Sequence, residues 1–323
     1  MEPTLRRVIA YHGRCFDGAF SAALMNDLSE RVDGAATEVE FRPLAHQKGA
    51  GIDPGLLDGD VNAVVDFKYS TSPALTWWFD HHKSAFIDDA HRAHFDGDGG
   101  ERRFFEPGYS SCAKLIFDVA RDRFGIELEC FAGVLEWADM IDSARFASAA
   151  QAVELEHPAL KLMTYIEGSS HDEVNALIPR FGRESLDQLV NSEPVRSGFA
   201  GLHTEHQAMV ELFRARAEIQ GPVMFADLTQ KPLDGFNKFI GFYLFPQVVY
   251  SVVVTDGPSR SKVSVGSSPW RTEDRRHDIA ALCEPHGGGG HAAVGAVTLA
   301  PGHPEEARRV AKQIVEQLSR PTG

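Results

Sequence analysis

The chain has 323 residues, which is long enough for two domains that each bury a sizeable core. Its formal net charge of -14 argues against a broad binding surface for long nucleic acid, but it leaves room for a local phosphate pocket. The four cysteines form no Cys-x-x-Cys pair and no apolar stretch is long enough to span a bilayer, so we expect free thiols in a cytoplasmic protein that does not enter membranes.

The first predicted unit is a strand, a polar loop and a helix. A short apolar run from Arg7 to His12 predicts the strand, and apolar residues at helical spacing predict the helix from Ala19 to Leu28. His12 ends the strand, and Cys15 and Asp17 lie in the loop. Each of the three can ligate a metal, and the helix N-terminus behind them favours anions. The alternative for Asp17 is that it only caps this helix.

Two of the next three predicted strands end in acids or imidazoles. The strands are Glu38 to Pro43, Val61 to Phe67 and Leu75 to Phe79. Asp66 lies at the end of the second, and Asp80, His81 and His82 follow the third. Ligands of open α/β sheets bind at the C-terminal edge of the strands, so we expect these side chains to meet there with those of the first loop.

A buried acid without a partner would cost roughly several kcal/mol by desolvation. A divalent cation therefore explains this cluster better than chance does. Oxygen ligands combined with imidazoles suit manganese or a similar ion, and two such ions suit phosphoester hydrolysis.

The segment from Asp89 to Glu101 is rich in His, Asp and Gly and is interpreted as a solvated loop. Two amphipathic helices, Ser110 to Phe124 and Cys130 to Met140, are predicted after it. The second leads into the acids Asp139 and Asp142. Either acid could complete a metal site, and a solvated helix end is the alternative. Residues 158–220 are predicted to be mostly helical.

The pattern changes after residue 220, where a second, smaller α/β domain is predicted. The expected strands are Val223 to Leu228, Val248 to Thr255, Ser261 to Val265 and Ala296 to Ala300. The expected helices are Asn237 to Leu244, Asp278 to Cys283 and Glu305 to Leu318. A run of four glycines between His286 and His291 can bring backbone N–H groups close to a phosphate, although such a run is more often only a loop.

The order of these motifs resembles that of the DHH/DHHA1 phosphoesterase superfamily over nearly the whole chain. The matching motifs are His12 with Asp17-Gly18, then Asp66, Asp80-His81-His82, the Asp139 and Asp142 region, and Gly288 to His291. The superfamily includes RecJ-like exonucleases, nanoRNases, cyclic dinucleotide phosphodiesterases and exopolyphosphatases. The resemblance implies an α/β fold in which a DHH domain (1–195) has a mainly parallel sheet flanked by helices. A helical connector (196–220) and a smaller α/β DHHA1 domain (221–323) would follow, with the active site in the cleft between the two domains.

The resemblance also implies roles for the polar residues of the first domain. Asp66 would bridge two metal ions, with His12 on the first ion and Asp17 and His81 on the second. A late acid would complete the second position. We prefer Asp142 over Asp139 because Asp142 to Phe146 is similar to the family form Asp-Thr-x-x-Phe.

The remaining roles concern the substrate. Asp80 would orient an imidazole, and His82, with Arg145, would face the substrate phosphate. In the second domain His291 would also face the phosphate. The glycines before it, Gly288, Gly289 and Gly290, would hold the far end of the substrate.

Two positions depart from the family pattern. The family usually has an Asp two residues before the position of Asp17, and here Cys15 stands there, as in a subgroup with a His-x-x-Cys-x-Asp-Gly motif. Cysteine prefers softer ions than manganese, so the first position would bind a different metal or bind weakly. The second domain has Gly266 where the family often has an Arg, so Lys262 or Arg271 would supply the positive charge.

The function expected from these features is hydrolysis of phosphodiester bonds in short oligonucleotides or small nucleotides, through water activated by two metal ions. We expect two Mn²⁺, with Mg²⁺ or another divalent ion as the alternative. The partners would be a short oligonucleotide, a nucleotide or polyphosphate, with no stable complex on long nucleic acid, and a homodimer is left open. The alternatives are a phosphoanhydride hydrolase acting on polyphosphate or pyrophosphate, and a nucleotide-binding protein without activity.

Overall fold

The computed structural model describes residues 5–46, 50–98 and 100–320. They form two compact units. The first unit runs to Arg145 and resumes from Glu156 to Leu202, and the second contains Phe146–Leu155 and the chain from His203 onward.

These units do not follow the predicted boundaries 1–195, 196–220 and 221–323. The segment Phe146–Leu155 belongs to the second unit, where the indole N–H of Trp270 donates to the carbonyl of Phe146 (2.9 Å) and Asn237 donates to the carbonyl of Ala152 (2.8 Å). The predicted connector lies mostly within one helix that passes from the first unit to the second. Long-range contacts of this kind leave no local sequence pattern.

The first unit is built on a parallel sheet, as the sequence predicts, but the sheet has five strands rather than the predicted four. Its strands are β1 (Arg6–His12), β2 (Glu38–Leu44), β3 (Val61–Val65), β4 (Trp77–Asp80) and β5 (Arg103–Phe105), in the spatial order β2-β1-β3-β4-β5. All four pairings are parallel. The C-terminal ends of β1, β3 and β4 therefore lie side by side at one edge. Strand β5 was not predicted, because three residues are too few to show a period.

Helices of the first unit cover the sheet. They are α1 (Phe16–Asp33), α2 (Asp89–Asp98), α3 (Cys112–Phe124), α4 (Ala132–Asp142), α6 (Pro158–Gly168), α7 (His171–Leu177), α8 (Leu186–Asn191) and the first part of α9 (Val195–Arg216). Ile9, Phe20 and Val65 belong to the core between α1 and the sheet, and each is fully buried. None of the helices in the described part of the chain is long and apolar enough to cross a membrane.

Helix α2 corrects the interpretation of Asp89 to Glu101 as a loop. Asp88 accepts a hydrogen bond from the backbone N–H of His91 (2.9 Å), which caps the helix, and Arg92 donates to Asp96 one turn later (2.9 Å). The guanidinium of Arg92 also lies over the ring of Phe86, 5.1 Å from its centroid. Packing of Arg92 against Phe86 therefore stabilises a helix in a segment whose composition, rich in Gly, favoured a loop.

Strand β4 carries a run of aromatic residues that ends in Asp80 at the edge of the sheet. Trp77, Trp78 and Phe79 are fully buried, on alternating faces of a sheet that is covered on both sides. The indole N–H groups donate to Asp33 Oδ2 (2.8 Å) and to the carbonyl of Phe67 (2.9 Å), so no buried donor is left unpaired there. This rigid strand holds Asp80 at the edge of the sheet.

The second unit is a six-stranded mixed sheet with helices, as predicted for a smaller α/β domain. The strands are β6 (Ala217–Gln220), β7 (Val223–Asp227), β8 (Tyr250–Asp256), β9 (Ser261–Ser267), β10 (Gly289–His291) and β11 (Val294–Leu299), in the order β10-β11-β9-β8-β7-β6. Only β7 and β8 pair in parallel. The helices are α5 (Ala149–Glu154), α10 (Ile240–Leu244), α11 (Ile279–Cys283), α12 (Pro304–Ser319) and the rest of α9.

The glycine run of the second unit forms strand β10, which pairs antiparallel with β11. A Cβ atom at Gly288 would lie 2.3 Å from the carbonyl oxygen of Ala296. At Gly290 it would lie 2.2 Å from that of Val294, and the φ angle there is 151°. Close approach of two backbones therefore explains these two glycines without a ligand.

Gly18 is required for a similar reason in the first unit, because a Cβ atom there would lie 2.2 Å from the carbonyl oxygen of His12. We expect Gly18→Ala to lower the free energy of unfolding by roughly 1–3 kcal/mol, since β1 and α1 must separate. The control is Gly201→Ala on α9, where nothing lies within 4 Å of the new methyl group. That variant should raise stability by about 0.5–1 kcal/mol. Urea denaturation of both variants tests the prediction, and equal effects would contradict it.

Candidate metal centre

The edge of the parallel sheet brings seven metal-ligating side chains together. They form three groups whose ligand atoms lie within 4.8 Å of one another: His12, Cys15 and Asp66; Asp66, His81 and His82; and Asp17, His81 and Asp142. Asp66 and His81 each belong to two groups. Of these two residues only Asp66 can bind two neighbouring ions at once, because a carboxylate has two oxygens whereas Nε2 of His81 has a single lone pair.

Asp66 lies at the centre of this arrangement. It directly follows β3 with a φ angle of 56°, a left-handed conformation that is uncommon for an aspartate, and its N–H donates to the carbonyl of Phe79 (2.9 Å). Its carboxylate is wholly buried. Oδ2 lies 3.3 Å from Nδ1 of His12, whereas Oδ1 is 3.6 Å from Nε2 of His81 and has no hydrogen-bond partner. Strain that is kept at one buried carboxylate points to a functional constraint.

His81 offers one donor atom to the site. Its Nδ1 lies 3.0 Å from the carbonyl oxygen of Tyr109, so Nδ1–H donates there and Nε2 faces the acids. Nε2 is buried, has no hydrogen-bond partner and lies 3.4 Å from Oδ2 of Asp142. Burial alone would lower the pKa of His81, but the nearby carboxylates of Asp66 and Asp17 raise it to about 9. Nε2 therefore carries a proton until a cation displaces it.

Asp17 does not cap the helix behind it. Its carboxylate accepts hydrogen bonds from the backbone N–H groups of Cys112 (2.7 Å) and Ala113 (3.0 Å), in the first turn of α3. Burial and the charges of Asp66 and Asp142 raise the pKa of Asp17 well above its usual range. Oδ1 also accepts a long hydrogen bond from the hydroxyl of Ser21 (3.5 Å), whereas Oδ2 accepts only that from Cys112 and can bind an ion while α3 fixes the carboxylate.

Cys15 is the residue that precedes α1, and its side chain makes no capping hydrogen bond. Its sulfur lies within 4.8 Å of ligand atoms of His12 and Asp66. Burial and the charges of Asp66 and Asp17 raise the pKa of the Cys15 thiol. The thiol is therefore neutral until a cation displaces its proton.

The two late acids occupy different positions. Asp139 accepts hydrogen bonds from Arg145 (2.5 Å) and from the hydroxyl of Ser111 (3.2 Å), and it belongs to none of the three groups. Asp142 belongs to the third group with Asp17 and His81. The geometry favours Asp142, which the comparison of motifs also preferred.

Asp80 orients one of the two histidines that follow it. Its Oδ1 accepts hydrogen bonds from Nδ1 of His82 (2.8 Å) and from the backbone N–H groups of His81 (2.8 Å) and His82 (3.1 Å). The bond to Asp80 raises the pKa of His82. The side chain of His82 is 35% exposed, so Nε2 can donate a proton to a molecule outside the group.

These donors fit divalent cations. The set contains three carboxylates, three imidazoles and one thiol, and two of its buried atoms, Asp66 Oδ1 and His81 Nε2, have no hydrogen-bond partner. Buried polar atoms are normally paired, and a divalent cation would satisfy this carboxylate oxygen and the imidazole nitrogen 3.6 Å from it, which have no hydrogen bond between them.

No protein-family model and no curated protein sequence matches the chain at a significant level. Solved structures do match. The pGpG-specific phosphodiesterase PggH from Vibrio cholerae has 19% identity and a TM-score of 0.70, over 97% of this chain and 98% of that one. A DHH domain from a member of a family of ribosomal proteins has 16% identity and a TM-score of 0.61 (98% and 88%), and exonuclease RecJ bound to manganese has 14% and 0.52 (97% and 90%).

The chain has the fold of the DHH phosphoesterases. At these identities the likeness establishes the fold alone. In this chain the acids and histidines described above lie at the C-terminal edge of the parallel sheet.

Sequence reasoning missed one residue at this edge of the DHH fold. The ring of His46 stacks on Phe67 (centroids 4.5 Å apart) and lies edge-on to His12 (4.7 Å). Burial lowers the pKa of His46. The position of His46 just after β2 could have revealed it, because β2 is a neighbour of β1 in the same sheet.

Arg145 and Arg271, which we expected to bring positive charge to the substrate, each form an ion pair with a nearby acid. Arg145 bonds to Asp139 and to the hydroxyl of Ser143 (2.8 Å), although its side chain is 61% exposed. Arg271 pairs with Asp274 (2.8 Å) and donates to the carbonyl of Gln247 (2.8 Å). The charge of Arg271 is thus neutralised within the second unit.

The other candidates in the second unit remain available for a ligand. Lys262 on β9 is half-buried opposite Thr255 of β8 and Thr298 of β11, and burial lowers its pKa. His291 is exposed at the end of β10. Lys262 is therefore the better candidate for the charge that Gly266 does not supply. Gly289 has nothing within 4 Å of an added Cβ atom, unlike Gly288 and Gly290.

Asp142 and Asp139 make a matched pair for testing the metal centre. We expect Asp142→Asn to remove most of the rise in melting temperature that Mn²⁺ gives the wild-type protein, since it removes a ligand charge from the third group. Asp139→Asn should keep that rise, because Asp139 bonds Arg145 and two serines instead. Thermal melts with and without Mn²⁺ give the comparison, and the opposite ranking would assign the ligand to Asp139.

Proposed function

We propose that this chain is a metal-dependent phosphoesterase that hydrolyses phosphodiester bonds of short oligonucleotides or small nucleotides. The observation that carries the proposal is the meeting of three groups of ligand atoms at one sheet edge, two of which share the buried carboxylate of Asp66, with Asp66 Oδ1 and His81 Nε2 unpaired.

The first metal position would be held by His12, Cys15 and Asp66, and the second by Asp17, His81 and Asp142, with Asp66 between them. A pair of divalent ions, when bound, supplies an activated water and neutralises charge on the phosphoryl group. The Tyr109 carbonyl fixes the ring of His81, so its donor atom needs no rearrangement when a cation arrives.

His82 is the group best placed to act on the substrate itself. Asp80 holds its Nδ1, which leaves Nε2 free to donate to a phosphoryl oxygen or to the leaving oxygen. Both ring nitrogens of an imidazolium donate, and the contact with Asp80 raises the pKa of His82 and so favours this form. Arg145 could add positive charge only after releasing Asp139.

The proposed substrate class rests on charge and on the neighbours of the fold. A net charge of -14 repels a long polyanion, whereas a short one needs only local neutralisation by ions and by His82. The structure with a TM-score of 0.70 is a pGpG-specific phosphodiesterase, whose dinucleotide substrate is short.

Hydrolysis of a 5′-labelled RNA ladder, from dinucleotides to about 24 nucleotides, tests this function, because the length range separates a closed pocket from an open groove. We expect loss of the shortest species with Mn²⁺ and none after chelation. Asp66→Asn controls for contaminating nuclease and should be inactive.

Equal cleavage of all lengths would instead indicate an exonuclease with an open groove. No cleavage by the wild-type protein with any divalent metal would overturn the oligonucleotide substrate. Polyphosphate and pyrophosphate, assayed by phosphate release, would then separate a phosphoanhydride hydrolase from a protein that only binds nucleotides.

A further inference from the structure

The two proposed metal positions differ in chemistry. The second consists of two carboxylates and an imidazole, from Asp17, Asp142 and His81, and Oδ1 of Asp66 lies 3.6 Å from Nε2 of that imidazole. The first has one imidazole and one thiol, from His12 and Cys15, and the carboxylate of Asp66. Thiolate ligands select softer ions such as Zn²⁺ or Co²⁺, whereas carboxylates and imidazole suit Mn²⁺ and Mg²⁺.

The position of Cys15 is not explained by its local structural role. It occupies the capping position of α1, where Ser, Thr, Asp or Asn is strongly preferred, and its side chain makes no capping hydrogen bond. An oxygen-bearing residue would stabilise the helix better. The cost of a cysteine there indicates that the sulfur serves another purpose.

The carboxylate beside the thiol independently indicates a cation. Asp66 is fully buried, its Oδ1 has no hydrogen-bond partner, and its Oδ2 lies only 3.3 Å from Nδ1 of His12. The sulfur of Cys15, the ring nitrogen of His12 and an oxygen of Asp66 all lie within 4.8 Å of one another. A thiol and an imidazole that converge on this buried carboxylate form a set of three ligand atoms rather than a chance cysteine.

We propose that Cys15 makes this a mixed-metal centre, in which the position at His12, Cys15 and Asp66 selects a thiophilic ion such as Zn²⁺ or Co²⁺ over Mn²⁺. The position at Asp17, His81 and Asp142 keeps Mn²⁺ or Mg²⁺. The inference rests on the proposed two-metal function, because it assigns one of those two positions. It makes Cys15 a residue that determines metal specificity.

The direct test is spectroscopic and does not depend on activity. Metal-free protein is titrated with Co²⁺ while the near-ultraviolet band of thiolate-to-cobalt charge transfer is recorded. We expect the band in the wild-type protein and in Cys130→Ser, an exposed free cysteine outside the three groups. We expect no band in Cys15→Ser. A band of wild-type intensity in Cys15→Ser would overturn the proposal.

A second variant measures selectivity in case serine disturbs the loop. Loss of a residue that only supports a metal ligand lowers metal affinity about 10–100-fold. Cys15→Asp replaces the proposed ligand itself, so Zn²⁺ affinity should fall by that factor or more. The same variant should bind Mn²⁺ more tightly than the wild-type protein. Competition with a chromophoric chelator gives both affinities, and an unchanged ratio of Zn²⁺ to Mn²⁺ affinity would contradict the proposal.

The outcomes separate this inference from the proposed function. Mn²⁺-dependent hydrolysis by a wild-type protein that shows no charge-transfer band would overturn the role of Cys15 and leave the phosphoesterase intact. A cysteine-dependent band in a protein that hydrolyses no phosphate ester or anhydride would support the metal site and overturn the function.

Discussion

Two buried carboxylates and a third that is partly exposed meet at one edge of a parallel sheet and require positive charge, and the rest of the site depends on this constraint. Asp66 and Asp17 are almost wholly buried, and Asp142 lies beside them. Burial and mutual repulsion raise the pKa values of Asp17 and Asp142. Burial would also raise the pKa of Asp66, but contacts with His12 and His81 lower it to about 2. The imidazoles offset part of the negative charge, and divalent cations would offset the remainder.

The surrounding fold positions these groups and keeps them rigid. The aromatic residues of β4 anchor the strand that ends at Asp80, and the first turn of α3 supplies two N–H groups that fix Asp17. Gly18 lets α1 approach the end of β1, which places Cys15 and Asp17 beside His12. Asp17, His81 and His82 are therefore held by backbone groups or by a buried neighbour before any ion binds, and such preorganisation favours tight and selective binding.

Much of this arrangement could be predicted from the sequence because it follows from strand order. Apolar runs that end in Asp66 and in Asp80-His81-His82 predict parallel strands, and parallel strands bring their ends to one edge. The pattern could not reveal side-chain pairing across the fold. The bond between Arg145 and Asp139, the pairing of Arg271 with Asp274 and the stacking of His46 on Phe67 all join residues through contacts that a linear period does not encode.

The glycine run illustrates a different limit. Its composition suggested contact with phosphate, but close pairing of β10 with β11 already explains Gly288 and Gly290. A residue type can be required by the backbone and still lie near a ligand. The role of Gly289 and His291 in binding is therefore a proposal that only substrate can test.

The most direct test of the central claim is the number of metal ions bound per chain, measured by elemental analysis after equilibration with Mn²⁺ and Zn²⁺ together. The account predicts two ions per wild-type chain, as two-metal phosphoesterase chemistry requires. Asp66→Ala should lose both, because one carboxylate serves both positions, while keeping the circular-dichroism spectrum of the fold. Retention of two ions by Asp66→Ala would show that Asp66 does not join the two positions, and would contradict the account.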